Sequence, residues 1–262
     1  MENVNLWTLI KINFRVTNFL VIINVLMSIL TYALGYITPL TYIILGAQIL
    51  PGSDYPLSSF VLEPWRFITS AFLHGGLVHL LLNMYVLYSF GNIIEQYYGS
   101  KKLFLVYIFS ALGGSLLSFF GAFLKFYENN SIAQGSAISV GASGAVFGLV
   151  GLLLGYKFLK RKTYAPEIDF DEKTLIFFVG FNLLFGFGVN ALSTQVSINN
   201  WAHLGGLISG IILGAVLNTK NTITATKTSK LFEKILYYLS LFLFFGSFIA
   251  SFIAGLNLFL TL

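Results

Sequence analysis

The chain contains no cysteine. That absence excludes disulfide scaffolds, thiolate metal sites and a cysteine nucleophile. Charge is also scarce: Asp, Glu, Lys and Arg make up 10% of the 262 residues, where a soluble domain carries about 25%. Proline occurs five times and histidine three times. No HExxH pattern exists, and His74 and His79 are five residues apart, a spacing that does not put them on one helix face. A metal site and a metal cofactor are therefore not expected. What fills the chain instead is apolar: 56% hydrophobic and 17% aromatic residues, with a mean hydropathy of +0.82. This is the composition of an integral, multi-pass membrane protein in a lipid bilayer.

A spanning helix needs about 20 apolar residues. The runs predict seven spans: Asn18 to Tyr36, Phe67 to Ile93, Leu103 to Leu124, Ile138 to Leu159, Thr174 to Ala191, Asn200 to Leu217 and Leu231 to Leu260. A further apolar piece, Ile37 to Leu50, is short, holds Pro39 and precedes Pro51-Gly52, so it reads as folding back or lying in the interface. No small-residue cleavage pattern follows the first run, so that span is expected to be retained.

Lysine and arginine set the orientation. Alternating the seven spans puts thirteen of the fifteen basic residues on one face, Lys11, Arg15, Lys101, Lys102 and the Lys160 to Lys173 stretch among them. Only Arg66 and Lys125 fall on the other. The N-terminus is therefore expected in the cytoplasm. The net charge of +5 follows from topology and calls for no nucleic acid. The expected division is a cytoplasmic N-terminal segment, 1–17, a six-span core, 18–217, a cytoplasmic linker, 218–230, and an additional C-terminal span, 231–262.

Ionisable side chains inside a bilayer are costly and usually face a cavity or a partner. All three histidines, His74, His79 and His203, lie in or beside predicted spans. The second, fourth and sixth spans run in the same direction. Ser143 lies five residues into the fourth and His203 three into the sixth, so both are about 5–8 Å from the outer end at 1.5 Å per residue. His79 and Asn83 are one turn apart on the second span and share a face. Glycines at four-residue spacing, Gly206, Gly210 and Gly214 on the sixth span and Gly144 and Gly148 on the fourth, permit close helix approach. Gly141-Ala142-Ser143-Gly144 by itself says no more than helix packing. With close approach of the fourth and sixth spans, it brings a serine hydroxyl within reach of a histidine.

Serine becomes a nucleophile when a neutral imidazole takes its proton. Acyl transfer also needs donors aimed at the developing oxyanion, and the Ser143 N–H, the Asn83 amide and the His79 imidazole are suitable. Asp54, Glu63 and Glu128 lie in outer loops and the remaining carboxylates at the cytoplasmic side. The catalytic set is thus a serine–histidine dyad.

These pieces, in this order, resemble the rhomboid family of intramembrane serine proteases. Glu63-Pro64-Trp65-Arg66 is similar to its first-loop motif. His74 through Asn83 and Met84 is similar to its second-span motif, and Gly91 to Glu95 with Gly99-Ser100 to the turn after that span. Gly141 to Gly144 is similar to the nucleophile motif, and Ala202-His203 with Gly206 and Gly210 to the sixth-span base. The resemblance implies an all-α bundle with a six-helix core plus one C-terminal helix. It implies Ser143 as nucleophile, His203 as general base, His79, Asn83 and the Ser143 amide as oxyanion hole, and His74 as support near the site. Glu95 and Arg66 are implied to be structural. Phe147 stands where the family often has a tyrosine stacked on the base, so the stack is kept and a hydroxyl is lost. Gly141, Gly144 and Gly206 allow the close packing. The implied partners are transmembrane protein substrates, cleaved in or next to their membrane segments without a cofactor. The fifth span, with Phe177, Phe178, Phe181, Phe185 and Phe187, is a candidate lateral gate. The plasma (inner) membrane of a prokaryote is the expected location. The alternative is a non-catalytic rhomboid-like protein that binds membrane clients.

Overall fold

The computed structural model describes residues 15–51, 62–129, 138–159, 171–192, 197–220, 222 and 225–261. Lys11, Asp54, residues 130–137, most of the Lys160 to Lys173 stretch and 193–196 lie outside them. Twelve named pieces follow in chain order: α1 (Val16–Gly35), α2 (Thr41–Ile44), β1 (Gln48–Ile49), α3 (Arg66–Thr69), a 3-10 turn (Ser70–Phe72), α4 (Leu77–Tyr98), α5 (Ser100–Asn129), β2 (Ile138–Ser139), α6 (Ser143–Leu159), α7 (Glu172–Leu192), α8 (Asn200–Val216) and α9 (Lys227–Leu260). The seven apolar helices correspond to the seven expected runs. Five of them, α1, α4, α5, α7 and α9, are long and apolar enough to cross a membrane. The other two, α6 and α8, have 17 residues each, about 25 Å of helix.

Two boundaries differ from the sequence expectation. The second run does not form one helix from Phe67: α3 and the 3-10 turn end at Phe72, and α4 starts only at Leu77. Gly75-Gly76 separates them, and glycine weakens a helix interior by about 1 kcal/mol. Ser143 is not five residues into a helix but the first residue of α6. Ile138 and Ser139 are extended and pair antiparallel with β1, Gln48 opposite Ser139 and Ile49 opposite Ile138.

The core is built around α6, whose residues Ala145 to Leu154 are all buried. A helix that is apolar all round must be enclosed on all sides, and α6 packs on α4, α5, α7 and α8. α6 and α8 run in parallel with their backbones touching. A methyl group at Gly206 would overlap the Gly144 carbonyl, one at Gly210 the Gly148 carbonyl, and one at Gly214 the Leu152 carbonyl. The pattern recurs from the other side, where Gly151 meets the Leu207 carbonyl and Gly155 that of Ile211. Van der Waals contact across small residues holds such helices together where no water is present to drive association.

The segment before α4 is held by Arg66. Its Nε pairs with Glu63 at 2.6 Å, and its Nη1 donates to the Ile43 and Ala47 carbonyls. Glu95, near the end of α4, accepts from Val16 N, Thr17 N, Thr17 Oγ1 and Ser100 Oγ. It thus satisfies orphan N–H groups at the start of α1, which has no side-chain N-cap of its own. α9 lies against α2, α3 and α5. Its Phe244 joins an aromatic cluster with Phe19, Phe72, Phe104 and Phe248.

Candidate active site

The site forms where α4, α6 and α8 begin. Gly141 N donates to the Ser70 carbonyl at 3.0 Å, and Gly141 has φ +137°, a conformation that L side chains rarely adopt. The glycine lets the chain turn out of β2 and start α6 at Ser143. The Ser143 N–H lies in the first turn, where helical N–H groups have no partner within the helix and the dipole favours negative charge.

Ser143 Oγ and His203 Nε2 are 2.9 Å apart. His203 is buried on α8, one turn from the helix start, and its N–H donates to the Asn199 carbonyl. Its Nδ1 is buried and has no hydrogen-bond partner among the described residues. For the Ser143 hydroxyl to donate to Nε2, the imidazole proton must be on Nδ1. Among the described residues no carboxylate orients this ring. Phe147 does so instead, lying stacked on it with centroids 4.4 Å apart and planes 6° apart. Phe147 in turn rests on Phe178 of α7, which also meets Phe90 of α4.

His79 faces the same space. A methyl group built on Gly141 would lie 2.8 Å from His79 Nε2 and 3.8 Å from Ser143 Oγ, so the glycine leaves a gap bounded by both. Asn83, one turn further along α4, is buried and its Nδ2 has no partner. His74 packs edge-on to His79 at 5.1 Å and lies 3.5 Å from Ser28 Oγ through Nδ1, while its carbonyl accepts from Tyr42. Gly144 and Gly206 lie at the first backbone contact of α6 with α8, beside the dyad. Of the five α7 phenylalanines, only Phe178 reaches the site; Phe177, Phe181, Phe185 and Phe187 are exposed.

Two residues absent from the sequence reading also belong here. The Asn199 side chain accepts from Ala202 N and donates to Ser118 Oγ and Ser139 Oγ. Gln48 donates from its side chain to the Ser115 carbonyl. With Ser70, Ser139, Gly141 and Gly144 it lines a cavity of about 20 Å³ behind the turn that leads into Ser143.

The sequence model of the Rhomboid domain matches residues 62–220. The chain belongs to the rhomboid family. Aligned with RHOMBOID-like protein 4 of Arabidopsis thaliana it is 39% identical over 148 residues, 56% of this chain and 32% of that protein. With rhomboid protease GluP of Bacillus subtilis it is 36% identical over 148 residues, 56% of this chain and 25% of that protein. With Rhomboid-like protease 3 of Toxoplasma gondii it is 30% identical over 170 residues, 65% of this chain and 56% of that protein. The alignments thus span a quarter to just over half of these relatives. The rhomboid match runs from just before α3 to just past α8, so α1 and α9 lie outside it. With its apolar helices, this rhomboid is an integral multi-pass membrane protein of a family that includes proteases.

Proposed function

We propose that the protein is an intramembrane serine endopeptidase working with a Ser143–His203 dyad on transmembrane protein substrates. The observation that carries this reading is the 2.9 Å approach of Ser143 Oγ to His203 Nε2 beneath the Phe147 ring. His203 Nε2 takes the Ser143 proton as Oγ bonds to the scissile carbonyl carbon, and the carbonyl oxygen becomes an oxyanion. The Ser143 N–H, Asn83 Nδ2 and His79 are the donors for that charge. His203 then gives its proton to the departing amine, and the acyl-enzyme forms. Water attacks the ester with its proton passing to Nε2, and His203 returns that proton to Ser143 Oγ as the second product leaves. His74 supports the ring of His79. The lysine and arginine distribution supports an N-terminus in the cytoplasm and a site opening at the opposite face; the membrane we propose is the plasma membrane of a prokaryote.

A non-catalytic client-binding rhomboid has no need of a serine and an imidazole in hydrogen-bond contact, and that contact favours the enzyme. The decisive experiment labels the purified protein with a fluorophosphonate and maps the modified residue. Modification at Ser143, lost in His203→Ala, is the expected result. A protein that cleaves a single-span reporter equally well as Ser143→Ala is not the enzyme described.

A further inference from the structure

The dyad has a second connection running alongside it. Ser139 lies four residues before Ser143, and Asn199 lies four residues before His203. Asn199 Nδ2 donates to Ser139 Oγ at 3.0 Å, close to the 2.9 Å between Ser143 and His203. Ser139 is fixed from its other side by backbone pairing with Gln48. Asn199 is fixed at α8, where its Oδ1 accepts from Ala202 N as the N-cap, and at α5, where its Nδ2 also donates to the buried Ser118. One side chain thus ties the start of the helix carrying His203 to the strand leading into Ser143, with α5 as a common anchor.

We propose that Asn199 is a positioning residue, a strut to Ser139 that sets the separation of Ser143 and His203 before any substrate arrives. The inference rests on the proposed function for its catalytic meaning, while the strut itself concerns the fold. Near the chemistry, a misplacement of about 1 Å costs about a hundredfold in rate, so a rigid spacer outside the dyad has a large effect available to it. The Ser143–His203 bond cannot serve as that spacer, because it changes with each proton transfer.

Capping and strutting are separable. Serine is as good an N-cap as asparagine but too short to reach Ser139 as well. Aspartate caps, and its carboxylate accepts from both serine hydroxyls. With detergent-purified protein and a single-span reporter, Asn199→Ser is expected to lower kcat by about tenfold or more. KM and the melting temperature stay near wild type, and Asn199→Asp restores turnover. Ser139→Ala also lowers kcat, and the double variant is no worse than Asn199→Ser alone, because the bond that Ser139→Ala removes is already gone there. Hydrogen exchange measured by mass spectrometry is expected to quicken at 138–142 in Asn199→Ser. Wild-type kcat in Asn199→Ser, additive losses in the double variant, or unchanged exchange at 138–142 each overturns the strut. Should the wild-type protein leave the reporter intact, the proposed function fails and the exchange experiment alone still decides the strut.

Discussion

Phe147 lies parallel to His203 with its ring centroid 4.4 Å away, and it is the only aromatic ring stacked on the base among the described residues. His203 Nδ1 has no partner among the described residues, and under the proposed function this face-to-face contact would hold the ring where three-residue serine sites use a carboxylate. An aromatic stack contributes about 0.5–1.5 kcal/mol. Phe147→Leu keeps most of the volume and loses the flat face, so kcat should fall by about threefold to tenfold. Phe147→Tyr keeps the stack and should retain activity. Equal turnover in Phe147→Leu and wild type would remove the stack from the mechanism.

The contact between α6 and α8 gives a test on stability. A methyl at Gly210 would overlap the Gly148 carbonyl, whereas one at Gly180 of α7 meets nothing within 4 Å. Gly210→Ala should destabilise by about 1–3 kcal/mol, as overpacking does. Gly180→Ala should be neutral or stabilising by about 0.5–1 kcal/mol. Thermal melting of the two variants in the same detergent makes the comparison. Similar melting temperatures would mean that the backbones are not in contact.

Glu95 offers only acceptor oxygens to its four donors. Oε1 takes Val16 N and Ser100 Oγ; Oε2 takes Thr17 N and Thr17 Oγ1. Glu95→Gln puts an NH2 group against one of those pairs. A cost of about 1–3 kcal/mol follows from donors left unsatisfied in a buried site. Limited proteolysis near the start of α1, alongside melting, checks this. A glutamine variant as stable as wild type would show that the negative charge is not needed.

The link between α9 and the rest of the bundle is polar at one end. Lys102 Nζ pairs with Glu233 at 2.9 Å and donates to the Asn218 carbonyl, and Asn218 N donates to Glu233 Oε1. Both side chains are largely buried. Removing one partner of a buried pair costs about 3–5 kcal/mol, while replacing both with apolar residues is often neutral. Lys102→Met should therefore destabilise strongly, and Lys102→Met with Glu233→Leu should recover most of the loss. Additive losses in chemical denaturation would argue that the two residues act separately.

Much of the site was legible because membrane chemistry is sparse. With three histidines in an apolar chain, His203 had few possible tasks, and the four-residue glycine spacing on α8 told which helix it faces. Phe147, one of 27 phenylalanines, was legible only through the family resemblance, which implies a ring stacked on the base at that position. Asn199 was not. Polar residues at the ends of apolar runs are common, and its partners Ser118 and Ser139 are 81 and 60 positions away. The break before α4 was invisible to hydropathy, because Phe67 to Leu73 is as apolar as the helix that follows. β2 is two residues long, too short for any alternation to register.

The glycine contacts between α6 and α8 have one more consequence. Gly206, Gly210 and Gly214 meet carbonyls of residues 144, 148 and 152 at a constant offset, like teeth of two racks. Backbone atoms have no rotamers with which to accommodate a small slide. The next register that again sets these glycines against carbonyls is four residues away, about 6 Å along the axis, a distance that would part Ser143 from His203. The register of these glycines therefore fixes how Ser143 and His203 are aligned.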